Sequence, residues 1–266
     1  MPTHFMNEHT ETAQNSVLRP LVWLLTLLVF SAVALSGCAG SEEEENEMLR
    51  DVTKAYETAE KSMRNQNYRR AIQIYEALQA RFPFSDLSKQ IQLRLMYAYY
   101  KSNRQEQAID AADTFMRENP THPNVDYALY VKALAYFERE PGLLERWFNK
   151  DVGNRPPRDG VLSFSLLKRL VERYPASPYA EDARQRMIFL KNRLAEYENT
   201  VARYYLDRGA YVAALNRAKG ALEEYNGANS GNESLQIMVE AYEGLGMTDL
   251  AADAREVLES NFPDEG

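Results

Sequence analysis

An all-α fold is predicted by the amino-acid sequence on two grounds. Glycine and proline are scarce in the 266-residue chain, at 12 and 11, while alanine, leucine, glutamate, arginine and 17 tyrosines are plentiful. That balance suits long helices better than a turn-rich sheet. From Asp51 onward a small residue, an aromatic and a closing proline also recur at fixed offsets, the mark of a repeat architecture.

The offsets are those of paired antiparallel helices of the tetratricopeptide type. Ala71 is followed by Tyr75, Leu78 and Pro83, and preceded twelve residues earlier by Ala59. The same frame places Ala98, Tyr99, Tyr100, Ala108, Phe115 and Pro120 in a second unit, and Ala133, Ala135, Tyr136, Ser163, Leu167, Leu170 and Pro175 in a third. A fourth carries Ala202, Tyr205, Gly209, Ala214, Ala218 and Ala221, with Asn226 at the proline position; a fifth carries Tyr242, Gly246, Ala251, Leu258 and Pro263. Antiparallel helices approach closely where both carry small side chains, an aromatic fills the space left, and proline stops the second helix. Stacked pairs of this kind form a solenoid with a concave groove. The expected architecture is a right-handed superhelix of about five such pairs.

Two segments interrupt the period. Residues 138–160 hold Pro141-Gly142, the apolar cluster Leu143, Leu144, Trp147 and Phe148, and Asn154-Arg155-Pro156-Pro157-Arg158. A connection this long is usually functional or disordered; packing of its tryptophan on the solenoid is favoured over a free partner hook. In the second, from Pro178 to about Asn192, Tyr179, Ala183, Met187 and Leu190 recur every three or four residues, which predicts a helix. It either runs on through Leu194 to Asp207 as one long helix or kinks near Tyr197 and Tyr204.

Ahead of the repeats, Leu21 to Ala34 is an uncharged, predominantly apolar run preceded by Arg19 and followed by Leu35-Ser36-Gly37-Cys38. This is the layout of an export signal, and the tetrad resembles a bacterial lipobox. The expectation is that residues 1–37 are removed and that Cys38 receives acyl and diacylglycerol lipid, palmitate among it. Several acyl chains, at about 0.8 kcal/mol per buried methylene, hold a domain on a membrane without a spanning segment. The n-region is long and contains Glu8 and Glu11, which leaves Met6 as an alternative start. Ala39 after the cysteine points to the outer membrane. Residues 38–50 are expected to form a lipidated, acidic tether through Ser41-Glu42-Glu43-Glu44-Glu45-Asn46-Glu47. The repeats then divide into 51–137 and 161–266, on either side of the insertion.

The net charge of -8 argues against nucleic acid. Cys38 is the only cysteine, so no internal disulfide forms. Of three histidines only His122 would survive processing, so no metal site and no cofactor are expected beyond the lipid. No nucleophile elbow, phosphate loop or isolated carboxylate pair is present in the sequence. The expectation is a binding protein with no catalytic residues.

Particular strings then narrow the reading: Tyr75-Glu76-Ala77-Leu78 with Arg81-Phe82-Pro83-Phe84, Tyr97-Ala98-Tyr99-Tyr100-Lys101, and Asn119 through Tyr127. Tyr174-Pro175-Ala176-Ser177, Phe189-Leu190-Lys191 and Arg208-Gly209-Ala210-Tyr211-Val212-Ala213 continue the series. Together they resemble the BamD lipoproteins of the outer-membrane β-barrel assembly complex over nearly the whole mature chain. The resemblance implies a scaffold on the periplasmic face whose N-terminal repeats sample C-terminal targeting signals of unfolded outer-membrane proteins. Its C-terminal repeats would dock on the last POTRA domain of the barrel subunit BamA, beside accessory Bam lipoproteins. Tyr75, Phe82, Phe84, Tyr97 and Tyr100 are the candidates for peptide contact, and Arg208, Tyr211 and Asn216 for partner contact. Asn154-Arg155-Pro156-Pro157 departs from the family's usual Asp-Arg-Asp-Pro and lacks its two acidic groups, and Asn226 is expected to loosen the fourth repeat boundary. The alternative is a different envelope repeat lipoprotein that coordinates peptidoglycan or cell-division proteins.

Overall fold

The computed structural model describes residues 39–83, 85–139 and 157–263. The expected signal peptide, Cys38, Phe84 and the insertion residues 140–156 lie outside the described residues. The chain divides into two compact units, Met1–Thr58 and Ala59–Gly266. Ten helices and no strand occur among the described residues: α1 (Ala39–Arg64), α2 (Tyr68–Arg81), α3 (Asp86–Lys101), α4 (Gln105–Glu118) and α5 (Val125–Arg139), then α6 (Arg158–Arg173), α7 (Ala180–Leu206), α8 (Tyr211–Glu224), α9 (Gly231–Gly244) and α10 (Thr248–Asn261). No described helix is long and apolar enough to cross a membrane.

From α2 to α10 each helix packs on the next in sequence, and α3 also packs on α5 and α7 on α9. First helices of neighbouring pairs therefore touch as well as the two helices within a pair. The seams are made by the small residues of the repeat frame: Ala59, Ala71, Ala98, Ala108, Ala133, Ala135, Ala202, Ala214, Ala218 and Ala241 are all at 0% exposure. In the third unit the small residue is Ser163, also fully buried, and its hydroxyl donates to the Ala133 carbonyl at 2.9 Å. A buried hydroxyl is tolerated there because it has that partner. The α7 and α9 seam adds a polar lock: the Ser234 hydroxyl donates to Asn199 Oδ1 at 2.7 Å, and Asn199 Nδ2 donates to the Ser230 carbonyl at 2.9 Å.

Helix ends repeat as regularly as the seams. Phe82, Asn119, Tyr174 and Phe262 each precede a proline and cap their helices at φ between -134 and -129°. Tyr225 stands at the same register before Asn226 and caps α8 at φ -119°. The boundary that Asn226 was expected to loosen is therefore kept, with Gly227 at φ 72° turning the chain.

Within four pairs the turn residue five positions before the anchor alanine has positive φ: Gln66 at 59°, Asn103 at 62°, Gly209 at 68° and Gly246 at 72°. Glycine adopts this conformation without steric cost, and asparagine more readily than other residues with a Cβ.

The helix boundaries bear on two expectations. Residues 180–206 form one continuous helix of 27 residues rather than two. The acidic run read as a tether is helical from Ala39. Glutamate is among the better helix formers, so a like-charged run joined to an amphipathic stretch is drawn into the same helix.

A substitution tests the shared turn. Gln66→Gly should raise stability by about 0.5–1 kcal/mol, as relief of the left-handed strain exceeds glycine's added chain entropy. Asn103→Gly should gain less. Urea midpoints measure both, and a loss of stability in Gln66→Gly would contradict the strain argument.

Candidate functional site

The period that buries alanines on one side of α3, α5 and α7 places large aromatic and charged groups on another. Tyr97 and Tyr100 come from α3, one turn apart; Tyr127, Tyr130 and Phe137 from α5; and Tyr179, Asp182, Arg186 and Phe189 from the start of α7. The Tyr97 and Tyr100 ring centroids are 6.5 Å apart. Tyr130 stacks on Tyr179 at 4.7 Å and 17°, and Tyr127 meets the same Tyr179 ring at 5.5 Å. Farther along, the Arg186 guanidinium lies 4.8 Å over Phe137, which is 5.7 Å from Phe189. Backbone packing joins α3 to α5, whereas these long side chains carry the contact between α5 and α7.

Hydrogen bonds fix the strip. Tyr100 donates to Glu138 at 2.7 Å, Tyr130 donates to Asp182 at 2.5 Å, and Arg186 Nε donates to the same Asp182 oxygen at 2.6 Å. Burial, then the hydrogen bond and charge of Asp182, push the Tyr130 phenol up to about 12. Burial and Glu138 raise Tyr100, and burial with Tyr179 raises Tyr127. For Asp182, burial alone would raise the carboxyl, but the donors Arg186 and Tyr130 outweigh it and hold the group below the ordinary carboxylate range. The phenols are therefore neutral donors at physiological pH, and the strip offers aromatic surface with fixed polar tips. That chemistry suits binding of a chain with apolar and aromatic side chains. Among the described residues no group of His, Cys, Asp and Glu could hold a metal ion.

Of the residues expected to contact peptide, Tyr97 (37% exposed) and the half-buried Tyr100 belong to this strip. Tyr75 does not. It is at 0% exposure between helices, and its hydroxyl donates to Glu60 at 2.5 Å, so it is a packing residue and its assignment to peptide contact is withdrawn. Phe82 caps α2, half-buried, with the Arg81 guanidinium 5.6 Å from its ring, and is not brought to the strip by any ring contact among the described residues. Tyr127, Tyr130, Tyr179, Asp182 and Arg186 were missed as site residues. Their only local signal is spacing by three or four, which a solvated helix face shares.

The second expected cluster lies at the far end of α7. Arg208 is exposed, stacks 3.6 Å over the ring of Tyr204, and donates to the Tyr204 carbonyl at 3.1 Å. Tyr204 is itself 52% exposed and meets Tyr205 edge-on at 5.7 Å. Tyr211 is turned inward, with its ring against α9 where a Cβ at Gly244 would come within 2.4 Å of it. Asn216 is exposed one turn from Val212, which is exposed too, so α8 offers these two rather than Tyr211 on its open face.

Comparison with known proteins places this geometry in context. The family described as YfiO, outer membrane lipoprotein, matches residues 49–258. The "Outer membrane protein assembly factor BamD" of Neisseria meningitidis serogroup A is 41% identical over 243 residues, covering 90% of this chain and 91% of that one. The protein of the same description from Vibrio cholerae is 37% identical over 229 residues, covering 85% and 93%. Among solved structures, the crystal structure of MamA covers 79% of this chain and 90% of its own, at 15% identity and a TM-score of 0.34.

The depressed Asp182 carboxyl makes a pH prediction. Its contribution to stability is fully present above the ordinary value of 3.8 and is lost as pH falls through the lower value of the folded state. The Tm gap between the natural protein and Asp182→Asn should therefore stay constant from about pH 7 down to about pH 4 and close below that. A gap unchanged in strong acid, or absent at neutral pH, would contradict the assigned pairing.

Proposed function

The chain belongs to the BamD family of outer membrane protein assembly factors, and we propose from that premise that it is a non-enzymatic scaffold of the β-barrel assembly machinery. In this reading a lipid on Cys38 holds it at the periplasmic face of the outer membrane. The aromatic strip on α3, α5 and α7 receives the C-terminal targeting signal of an unfolded outer-membrane protein. The α7 to α8 end docks on the last POTRA domain of BamA, with accessory Bam lipoproteins alongside.

The observation that carries the reading is the Tyr97, Tyr100, Tyr127, Tyr130 and Tyr179 series, contributed by three consecutive first helices and pinned by Glu138, Asp182 and Arg186. An extended chain with alternating apolar side chains is matched by flat rings at successive positions and by polar tips between them. At the other end, Tyr204 holds the Arg208 guanidinium on its face without a carboxylate partner among the described residues. A planar, charged group presented in this way suits an acidic partner surface. The alternative, a lipoprotein that coordinates peptidoglycan or division proteins, has nothing in the family assignment to favour it.

Two variants test the two halves separately. Tyr130→Ala with Tyr179→Ala should weaken binding of a peptide carrying an outer-membrane targeting signal by about tenfold or more, in proportion to two lost aromatic contacts. Arg208→Glu should reduce BamA recovered with the protein from gently solubilised membranes by a similar factor, while circular dichroism stays unchanged. Full peptide affinity in the first variant removes the strip from the reading; undiminished BamA in the second removes the docking surface.

A further inference from the structure

The anchors of the repeat frame, Ala71, Ala108, Ser163, Ala214 and Ala251, let the helix trios around α3, α5, α7 and α9 be compared position by position. A groove over α3, between α2 and α4, encloses ≈ 270 Å³, and its successor over α5, between α4 and α6, encloses ≈ 260 Å³. Three positions of each trio carry the comparison: the ninth residue after the anchor on the earlier second helix, and the sixth and tenth after the anchor on the later one. Around α3 they hold Ala80, Thr114 and Glu118; around α7, Glu172, Gly220 and Glu224; around α9, Glu223, Val257 and Asn261. Around α5 they hold Arg117, Arg169 and Arg173. Places that are neutral or acidic in three trios thus all carry a guanidinium in the remaining one.

Helix architecture alone does not account for this cluster. Arg117 and Arg173 sit in the last turns of α4 and α6, where the helix dipole favours a cation. Arg169 is a full turn earlier and lies four residues before Arg173, a like-charge spacing that weakens a helix. The neighbouring carboxylates are committed elsewhere: Glu118 accepts from Gln92 at 3.0 Å, and Glu172 pairs with Lys168 at 3.9 Å. Arg117 donates to the Thr114 hydroxyl at 3.2 Å and Arg173 lies 5.8 Å from the Tyr174 ring, and none of the three guanidiniums has an ion-pair partner among the described residues. By contrast Arg139, on the intervening α5, holds both Glu106 and Asp159. All three arginines line the one cavity, over a floor of the buried Val125 and Leu129 with Met116.

We propose that this cavity binds a phosphoryl group carried on a short apolar stem, with the phosphoryl oxygens on Arg117, Arg169 and Arg173 and the stem on the Met116 and Leu129 floor. A phosphomonoester presents three free oxygens and a charge of about -1.5 to -2 at neutral pH. Three guanidinium forks match it in number and in charge, whereas the two oxygens and single charge of a carboxylate leave a fork idle. The cavity lies just under the range of about 300–1,000 Å³ typical of whole small-molecule sites, so it admits a headgroup and leaves any acyl chains outside. A lipid headgroup and a soluble phosphoester share this chemistry. The inference uses no residue of the aromatic strip and none of the Arg208 end.

Isothermal titration calorimetry on the full chain in detergent tests it, with inorganic phosphate, dihexanoyl phosphatidic acid, dihexanoyl phosphatidylcholine and hexanoate as probes. Phosphatidic acid, phosphate or both should bind at least about tenfold more tightly than hexanoate, and Arg169→Gln with Arg173→Gln should erase that preference at unchanged helical content. Arg81→Gln, in the last turn of α2, should leave it intact. Phosphatidic acid binding about tenfold more tightly than phosphate supports the site with a lipid headgroup as its ligand, and parity of the two supports it with a soluble phosphoester. Hexanoate binding as tightly as the phosphoryl probes, no phosphoryl binding at millimolar concentration, phosphatidylcholine matching phosphatidic acid, or a preference unchanged in the double variant would overturn the assignment.

Discussion

Two helical backbones make their closest approach only where neither carries a side chain much larger than a methyl group, and the architecture depends on this. Ala71, Ala108, Ala214 and Ala251 recur at one position of the frame, and Ser163 takes the same place with its hydroxyl turned into a hydrogen bond. Close approach at these points brings the larger residues of each pair into dispersion contact, where isolated helices of this length would be marginal in water. A larger residue at any of them would separate a pair and disturb both neighbours, because every pair is also the wall of the next.

The same constraint explains where binding chemistry can reside. With alanines committed to the seams, bulky and polar residues are left for the remaining faces of α3, α5 and α7, where they meet across helices rather than along them. Tyr130, Asp182 and Arg186 form one hydrogen-bonded set with a lowered carboxyl and raised phenols, so each group is fixed in a single protonation state near neutral pH. Such a surface is rigid before any ligand arrives, which reduces the ordering cost of binding.

Local spacing made the helix pairs, their small-residue anchors and their proline stops legible in the sequence. It misled at Tyr75: an aromatic four residues after the anchor is the one that fills the seam, so its regularity marked packing and not contact. The strip was hidden for the opposite reason. Tyr100 and Glu138 are 38 residues apart and Tyr130 and Asp182 are 52 apart, so only the stacking of pairs brings them together. Likewise the acidic stretch after Ala39 has no helical period of its own, yet its residues are good helix formers continuous with an amphipathic run. Arg208 was legible through a family string, while its stacking on Tyr204 required coordinates.

The unbroken α7 has a mechanical consequence. Its 27 residues make a strut about 40 Å long at 1.5 Å per residue, with Asp182, Arg186 and Phe189 near one tip and Tyr204 at the other. Because the helix is unbroken, twisting or sliding of this strut at the aromatic end is delivered to the arginine end in the same sense. A load on one tip and a grip on the other would thus act on a common lever, with no need for a relay of small side-chain shifts between them.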